Sequence, residues 1–262
     1  MQASEQEQQH PDAYWDNRYV NHQTGWDIGF PSGPMKRIID VLPNKQARIL
    51  IPGCGNAYEA DYLLAKGFND ITLIDIAPTL TAQLKEKFKG LSGIQIITGD
   101  FFEGKYSYDC ILEQTFFCAL PPAWRLRYVA RMHRLLGAEG ILCGVLFNKA
   151  FEGGPPYGGD VAEYRALFEP LFHIEVFRDC IDSIAPRAGN EMEIRLRKRA
   201  ELAIYYCGAA PGMDTDFKAF IDRLPPEMHL LQHFANPHEV ILYGLQEAML
   251  HLSFPSCLQV LG

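Results

Sequence analysis

Short apolar segments alternate with amphipathic ones along most of this chain, and this alternation constrains the fold more than any other feature. Between residues 47 and 179 the apolar segments have the length and composition of β-strands: ARILIP, DITLIDI, GIQIIT, YDCILEQ, GILCGVLF and HIEVFRD. Most of the intervening segments have apolar residues at helical spacing: AYEADYLLAKG, TLTAQLKEKFKG, PPAWRLRYVARMHRLLG and DVAEYRALFEPL. Strands separated by helices need crossover connections, so the sequence predicts a mostly parallel sheet covered by helices on both faces.

The predicted α/β sheet is doubly wound and has seven strands. The seventh is EMEIRLRKR, residues 191–199, which alternates at period two and could be the last strand. In a sheet of this kind, ligands bind outside the carboxyl ends of the strands, near the point where the strand order reverses. The residues that directly follow the strands are therefore the candidates for a binding site.

The chain divides by composition into a main domain and two flanking parts. Residues 1–10 are polar and are predicted to form a disordered tail, whereas residues 11–199 form the α/β domain with an aromatic leader at 11–34. Residues 200–262 have a further strand–helix–strand–helix pattern, which predicts a small α/β C-terminal appendage. Its last predicted helix is more apolar than one solvated face requires, so we expect it to pack on the core or, alternatively, on a second copy of the chain.

Composition and charge argue against several classes of partner. The net charge is −8 and there is no basic run, so nucleic acid is not expected as the main partner. No uninterrupted apolar segment is long enough to span a membrane. The 7 cysteines include no CxxC pair, which indicates reduced, mostly buried thiols in a cytoplasmic protein. His229, His233 and His238 form a loose cluster, but we do not predict a metal site there.

A glycine-rich turn follows the first strand in RILIPGCGNAY, residues 48–58. Gly53 and Gly55 lie between a strand and a helix, which is typical of loops that bind a nucleoside. A dinucleotide dehydrogenase has G-x-G-x-x-G, but Tyr58 occupies the position of the third glycine. The loop of S-adenosylmethionine-binding proteins has G-x-G-x-G, from which the chain departs only at Ala57. A tight turn without a ligand is the alternative interpretation.

Acidic and aromatic residues follow the next strands. Asp75 ends the second strand, where a carboxylate can accept hydrogen bonds from both ribose hydroxyls; the alternative is a cap of the next helix. After the third strand, Asp100 could accept a hydrogen bond from an adenine amino group, and Phe101 could pack against the ring. At the end of the fourth strand, Glu113 and Gln114 are polar residues in an apolar segment, where burial requires a partner.

The aromatic leader contains Trp15, Tyr19 and Trp26 shortly before the main fold. A sulfonium group is a cation, and aromatic faces attract cations. We therefore predict that residues 11–34 form a lid that closes over such a cofactor and excludes water. A static hydrophobic clasp on the edge of the sheet is the alternative.

Together these motifs resemble the thiopurine methyltransferase-like family of class I S-adenosylmethionine-dependent methyltransferases. The resemblance extends from about Trp15 to Arg199 and includes four blocks: YWDNRYVNHQTGWDIGFPSGP, IPGCGNAYEA, LIDIAP and YDCILEQTFFCALPPAWRLRYV. Two later segments, FEGGPPYGG and IAPRAGNEMEIRLRKR, are similar to the harmless-to-ozone-layer branch, which methylates halide, thiocyanate and thiol acceptors. The resemblance implies the seven-stranded sheet of class I methyltransferases.

The resemblance also implies a cofactor, S-adenosylmethionine with the product S-adenosylhomocysteine, and the residues that contact it. These residues are Trp15, Tyr19, Trp26, Gly53, Gly55, Asp75, Asp100, Phe101 and Gln114. Relatives often have tryptophan at the position of Tyr19, and some have arginine at that of Gln114. Tyr157, in GGPPY, is the candidate for the acceptor pocket, and together with Gln114 it is the candidate for catalysis.

The function expected from these features is methyl transfer by in-line displacement to a small soft nucleophile. A thiol, hydrosulfide, thiocyanate or halide acceptor needs little or no general base. A thiopurine or another aromatic thiol is the alternative acceptor. Two other classes stay open at this point: an NAD-type oxidoreductase, which Tyr58 disfavours, and a non-catalytic nucleoside-binding or assembly protein. The expected partner is a small molecule, and the expected oligomeric state is a monomer or homodimer.

Overall fold

The structure is a computed structural model that describes residues 11–104, 106–199, 202–207 and 228–234, with only the backbone described in the last two ranges. Its α-helices are α1 (Pro11–Val20), α2 (Gly33–Asp40), α3 (Tyr58–Ala65), α4 (Pro78–Lys87), α5 (Arg125–Leu135) and α6 (Val161–Phe168). Its strands are β1 (Ile49–Pro52), β2 (Ile71–Asp75), β3 (Ile94–Thr98), β4 (Tyr108–Gln114), β5 (Leu136–Phe147), β6 (Phe172–Asp179), β7 (Glu191–Lys198), β8 (Leu202–Cys207) and β9 (Met228–Phe234). Short 3₁₀ helices span Phe117–Ala119, Pro122–Trp124 and Ala185–Arg187.

A 7-stranded sheet forms the centre of the molecule, with the strand order β3-β2-β1-β4-β5-β7-β6. The pairs from β3 to β5 are parallel, whereas β7 is antiparallel to both of its neighbours. The predicted fold, a doubly wound and mostly parallel seven-stranded sheet, is therefore confirmed. The strand order reverses between β1 and β4, so a ligand is expected at the carboxyl ends of these two strands.

Strand β7 is the last strand of the sheet along the chain, but it lies between β5 and β6 rather than at an edge. Its acidic residues Glu191 and Glu193 are buried there. Buried carboxylates need charged partners: Glu193 pairs with Arg37 at 2.8 Å and with Arg178 at 3.0 Å, and Glu191 pairs with Arg187 at 3.5 Å. The charged residues of this strand are thus part of the packed sheet.

Apolar side chains pack on both faces of the sheet. On one face, Met35, Leu63 and Leu80 join α2, α3 and α4 to the strands. On the other face, Tyr128 and Phe168 do the same for α5 and α6. Coverage of both faces is what the crossover connections of a parallel sheet produce, and it leaves the strand ends open to ligands.

Local sequence sets several of the helix boundaries. Ser32 is the N-cap of α2, since its hydroxyl accepts a hydrogen bond from the backbone N–H of Met35. Proline begins α4 at Pro78, where its missing N–H removes no helical hydrogen bond. Helix α5 is followed at once by β5, so Gly137, which the sequence places just past the helix, belongs to the strand.

The segment after residue 199 is described only in part. Strands β8 and β9 pair in parallel as a 2-stranded sheet. The two helices predicted within residues 200–262 lie outside the described residues, and so does the predicted tail at 1–10. The division of the chain at residue 199 and the packing of the appendage stay predictions.

Two structural features are absent from the described residues. None of their helices has both the length and the apolar content that a membrane crossing requires. No group of His, Cys, Asp or Glu among them is arranged to hold a metal ion; His238 lies outside the described part.

Candidate active site

A cavity of about 490 Å³ lies at the carboxyl ends of β1, β2 and β4, and residues of the leader form part of its wall. This is the point where the strand order reverses. Every residue predicted to contact the cofactor lines the cavity: Trp15, Tyr19, Trp26, Gly53, Gly55, Asp75, Asp100, Phe101 and Gln114. The fold therefore brings together side chains that are far apart in the sequence.

The glycine loop between β1 and α3 forms the floor of the cavity. Gly53 and Gly55 have φ values of +55° and +52°, which side chains other than glycine rarely adopt. A Cβ on Gly53 would lie 2.3 Å from Cδ2 of Phe116, so a larger residue does not fit. The loop thus keeps its backbone open to a ligand at the N-terminal end of α3.

Asp75 lies at the end of β2 and is only 8% exposed. Its carboxylate accepts hydrogen bonds from the backbone N–H of Ala77 at 3.0 Å and of Gly55 at 3.3 Å. Burial raises the pKa of Asp75 to about 6, although these N–H groups favour the charged form. The carboxylate therefore contacts the turn before α4 and also lines the cavity, so the binding and capping interpretations are compatible.

Asp100 and Phe101 follow β3 at the same edge of the sheet. The Asp100 carboxylate accepts a hydrogen bond from the backbone N–H of Phe102 at 2.8 Å. The ring of Phe101 packs edge-on against Phe102 and Phe116, with centroids 5.2 and 5.1 Å apart. Arg131 fixes this turn, because its Nε donates to the carbonyl oxygen of Phe101 at 2.8 Å. Phe101 is thus both a core residue and a wall of the cavity.

The leader packs as a cluster of aromatic rings over the cavity. Trp26 makes edge contacts with Trp15 and Tyr19, at centroid distances of 5.4 and 5.8 Å. Burial raises the pKa of the Tyr19 hydroxyl far above its ordinary value, so this group stays protonated. Helix α1 is attached to α4, since the Asp16 carboxylate accepts from the backbone N–H and the hydroxyl of Thr79, at 2.7 and 3.0 Å.

A second polar contact joins the leader to the glycine loop. The Asp27 carboxylate accepts hydrogen bonds from the side-chain amide of Asn56, from the hydroxyl of Tyr58 at 3.2 Å and from the backbone N–H of Gly29 at 2.7 Å. The contacts of Asp16 and Asp27 hold the leader at both of its ends. The leader is therefore attached by hydrogen bonds, which can break and re-form, as well as by ring packing.

The end of β4 contains one half-buried and one fully buried polar side chain. Gln114 lines the cavity, and its amide donates to the hydroxyl of Ser32 at 2.8 Å. Glu113 is 0% exposed and accepts hydrogen bonds from the backbone N–H of Phe116 and of Phe117, both at 2.9 Å, and from the hydroxyl of Tyr128. Burial raises the pKa of Glu113 to about 7. Glu113 thus supports the turn after β4, and Gln114 faces the ligand space.

Tyr157 is the predicted site residue that the structure places outside the cavity lining. Its backbone N–H donates to the carbonyl oxygen of Cys118 at 2.6 Å, which joins its loop to the turn after β4. The preceding residues Pro155 and Pro156 do line the cavity. The loop that contains Tyr157 therefore reaches the cavity, but its prolines rather than Tyr157 form the wall.

The sequence interpretation missed four charged residues of the cavity lining: Arg187 and Glu59, described here, and also Arg18 and Asp27. Arg187 lies in the segment before β7; its guanidinium donates to the carbonyl oxygen of Trp26 at 2.8 Å and lies over the ring of Phe147. Glu59 lies in the first turn of α3. The sequence signal was weak in both cases, because one arginine in a loop and one acid at a helix start are common features of ordinary surfaces.

The cavity lining combines acceptors, an aromatic ring and cationic donors. Asp75 and Asp100 offer carboxylate acceptors, and Phe101 offers a ring, at the carboxyl ends of β2 and β3. Arg18 also lines the cavity, and within the described part of the chain its buried Nε has no hydrogen-bond partner. A buried donor of this kind is expected to meet an acceptor on a ligand.

The comparison with protein families shows to which family this chain belongs. A model of the family "Thiopurine S-methyltransferase (TPMT)" matches residues 10–201. The chain belongs to the thiopurine S-methyltransferase family. The enzyme is an S-adenosylmethionine-dependent S-methyltransferase, as the sequence predicted.

Known members of the thiopurine S-methyltransferase family are similar over most of their length. "Probable thiol methyltransferase 2" of Arabidopsis thaliana is 32% identical over 193 residues, which are 70% of this chain and 84% of that protein. "Thiocyanate methyltransferase 1" of the same plant is 25% identical over 191 residues, again 70% and 84% of the two chains. The "Thiopurine S-methyltransferase" of Xanthomonas campestris pv. campestris is 28% identical, over 64% of this chain and 88% of that protein.

Solved structures agree on the fold. The 1,6-didemethyltoxoflavin-N1-methyltransferase of Burkholderia thailandensis, with bound S-adenosylhomocysteine, matches with a TM-score of 0.60 at 18% identity, over 76% of this chain and 92% of that chain. A TehB-like S-adenosylmethionine-dependent methyltransferase of Corynebacterium glutamicum matches with a TM-score of 0.53 at 19% identity, over 72% and 98% of the two chains. At these identities the likeness supports the class I methyltransferase fold alone.

Proposed function

We propose that this methyltransferase acts on a small soft nucleophile, namely a thiol, hydrosulfide, thiocyanate or halide, by direct in-line displacement. The observation that carries this proposal is the composition of the cavity at the end away from Asp75 and Asp100. That end is apolar apart from a few polar groups, contains the guanidinium of Arg187, and has neither histidine nor lysine among the described residues that line it.

The nucleoside end positions the cofactor. Asp75 accepts hydrogen bonds from the ribose hydroxyls, and Asp100 accepts one from the adenine amino group. Phe101 packs against the adenine ring, and the open backbone of Gly53 and Gly55 lets the cofactor approach the loop. The support for these roles is that all these groups line one cavity at the ends of β1, β2 and β3.

The leader closes the site over the sulfonium group. Trp15, Tyr19 and Trp26 present aromatic rings to the cavity, and aromatic rings attract a cation. When bound, S-adenosylmethionine supplies an electrophilic methyl group at that cation. The leader therefore performs two tasks in this proposal: it stabilises the positive charge and it excludes water from the acceptor.

The acceptor end is formed by loops that follow β4 and β5 and by the segment before β7. Phe147, Pro155 and Pro156 give it an apolar wall, and Gln114 borders it from β4. Tyr157 lies next to these prolines and is proposed to orient the acceptor. No histidine or lysine of the described lining is available as a base, which suits acceptors that are already anionic or that ionise near neutral pH.

Arg187 suits an anionic acceptor. Its side chain is 12% exposed and lies 3.5 Å from a carboxylate oxygen of Glu191. A guanidinium has five N–H donors, more than the contacts with Glu191 and Trp26 use. Glu191 holds the guanidinium in place, and the remaining N–H groups can attract an anion into an otherwise apolar space.

The chemistry follows from the charges. A cationic methyl donor and an anionic acceptor neutralise each other as the reaction proceeds, so a dry site raises the energy of the reactants more than that of the transition state. The residues of this chain hold the two reactants in line and keep water out, which supplies much of the rate enhancement. Proton removal by a side chain is not part of this mechanism.

The names of the relatives include a thiol, a thiocyanate and a thiopurine methyltransferase. The relative of highest identity among the three is the probable thiol methyltransferase. A thiopurine acceptor is the alternative within the same family, and it differs by its larger aromatic ring.

The test is a panel of acceptors at matched concentrations: hydrosulfide, thiocyanate, iodide, a thiopurine and a catechol. We expect turnover with the sulfur and halide nucleophiles. With a thiol acceptor the rate should rise with pH towards the pKa of the thiol, whereas with thiocyanate or iodide it should be nearly constant. A preference for the catechol contradicts a mechanism without a general base. A preference for the thiopurine shows that the alternative acceptor, an aromatic thiol, is the correct one.

A further inference from the structure

A buried cation lies outside the cavity lining, beside the loops of the acceptor end. Arg125 is the first residue of α5, and it is only 4% exposed although its guanidinium is charged. A charge that is removed from water needs partners that compensate for the lost hydration. The partners of Arg125 therefore show which parts of the molecule this side chain holds together.

The guanidinium of Arg125 bonds to two segments that follow β5. Its Nη2 donates to the carbonyl oxygen of Gly158 at 2.6 Å, and its Nη1 donates to the carboxylate of Glu163 in the first turn of α6. The planar fork of a guanidinium holds two acceptors at fixed relative positions. Arg125 therefore fixes the carbonyl group of Gly158 relative to the start of α6.

The same guanidinium packs against the turn after β4. Its Cζ lies 5.0 Å from the centroid of the Phe117 ring, which is buried and attracts the cation. The next residue, Cys118, lines the cavity and accepts the 2.6 Å hydrogen bond from the backbone N–H of Tyr157. Arg125 thus contacts both the turn after β4 and the loop after β5, and these two segments also bond to each other.

The loop that Arg125 holds, residues 154–159, is closely packed. The backbone N–H of Gly159 donates to the carbonyl oxygen of Lys149 at 3.1 Å, and a Cβ on Gly158 would collide with the same oxygen. Pro155 and Pro156 of this loop form part of the cavity wall. Because Gly158 is only two residues from Pro156, a displacement of its carbonyl group is transmitted to that wall.

We infer that Arg125 is a positioning residue, which holds the loop 154–159 in the place that the acceptor requires. The side chain touches neither reactant, because it lies outside the cavity lining. It acts through Gly158 and the prolines, so its loss should affect the acceptor and leave Asp75 and Asp100 unchanged. The inference rests on the proposed function only in that it assigns the prolines to the acceptor end.

The test is Arg125→Lys, with Arg165→Lys as the matched control. Lysine keeps the positive charge, but a single ammonium group does not reproduce the forked contact with Gly158 and Glu163. Arg165 forms an ion pair with Glu169 at 2.8 Å within α6 and the residue after it, and both of these side chains are nearly half exposed. The control therefore makes the same substitution in an ion pair that does not contact the loop.

Amide hydrogen exchange, measured by NMR, reports on the loop without any acceptor. The amides of Tyr157 and Gly159 should exchange about tenfold faster in Arg125→Lys, the factor for the loss of one hydrogen bond, and at the wild-type rate in Arg165→Lys. Steady-state kinetics then use the acceptor of the panel that the wild type methylates fastest. The KM for that acceptor should increase about tenfold in Arg125→Lys, whereas calorimetry should show the wild-type affinity for S-adenosylhomocysteine.

Three outcomes for Arg125→Lys overturn the inference: wild-type exchange at Tyr157 and Gly159, faster exchange with an unchanged KM, and a loss of S-adenosylhomocysteine affinity as large as the rise in KM. If this variant does not fold, Glu163→Gln decides by the same measurements, because the Glu163 side chain is 41% exposed and glutamine keeps its shape. Exchange and KM should then increase about threefold, since a neutral acceptor bonds more weakly than a charged one, and wild-type values overturn the inference. Preference for an acceptor that the proposed function does not include contradicts that function alone, because the exchange rates do not depend on the acceptor.

Discussion

The two ends of the cavity are built differently. At the nucleoside end, Asp75 and Asp100 lie at the carboxyl ends of two adjacent strands, and both accept hydrogen bonds from nearby backbone N–H groups. At the acceptor end, Phe147, Pro155 and Arg187 come from three separate segments of the chain. In the proposed binding mode the rigid sheet holds the cofactor, whereas the acceptor meets loops, which vary more readily without loss of the fold. We therefore expect the loops to determine the choice of acceptor.

The largest effect is expected at the nucleoside end, with Asp75→Ala. This change removes the acceptor for the ribose hydroxyls and should weaken S-adenosylhomocysteine binding by about 1.5–3 kcal/mol, the range for a hydrogen bond to a charged group. Calorimetric titration measures the loss, and circular dichroism checks the fold. Asp70→Ala is the control, since Asp70 is exposed just before the same strand and should bind as the wild type does. If a folded Asp75→Ala variant binds S-adenosylhomocysteine as tightly as the wild type does, Asp75 does not bind the ribose.

The second prediction addresses the acceptor end through Arg187→Ala. Loss of the guanidinium should lower kcat/KM for thiocyanate about tenfold, because the anion loses one charged hydrogen-bond donor. The affinity for S-adenosylhomocysteine should change much less, since Asp75 and Asp100 hold the nucleoside. Steady-state kinetics and calorimetry separate the two effects. If kcat/KM and the affinity for S-adenosylhomocysteine decrease equally, Arg187 contributes to cofactor binding. Arg187 then does not belong to the acceptor end alone.

The third prediction concerns the leader, which lies over both ends of the cavity. Asp16→Ala removes the two hydrogen bonds to Thr79 and should weaken S-adenosylhomocysteine binding by about 0.5–1.5 kcal/mol. Limited proteolysis gives the matching readout: the ligand should protect the bonds between Pro11 and Pro34 in the wild type, and protect them less in the variant. Equal cleavage with and without ligand indicates a static clasp rather than a lid.

The smallest effect is expected for Tyr157→Phe. If the hydroxyl orients the acceptor, turnover should decrease by a few-fold while the affinity for S-adenosylmethionine stays the same, because the residues proposed to bind the nucleoside, Asp75 and Asp100, are unchanged. Initial rates at saturating cofactor measure this. Unchanged rates for every acceptor of the panel assign Tyr157 to the packing of its loop instead.

The sequence by itself determined the fold class and the nucleoside end of the site. The alternation of strands and helices requires a parallel sheet, and a parallel sheet aligns the carboxyl ends of its strands. Gly53, Asp75 and Asp100 lie at or just after the ends of three of those strands, so their meeting at one edge could be predicted without coordinates. The left-handed φ of Gly53 and Gly55 explains why glycine stands at those positions.

Only the tertiary structure decided the other end. Strand β7 inserts between β5 and β6, and this places the segment that contains Arg187 next to Trp26 and Phe147. Neither the antiparallel pairing nor the approach of the leader is encoded in local periodicity, because both depend on contacts between residues far apart in the chain. The raised pKa of Glu59 has the same origin: burial is its main cause, and burial depends on segments that no single stretch of the sequence contains.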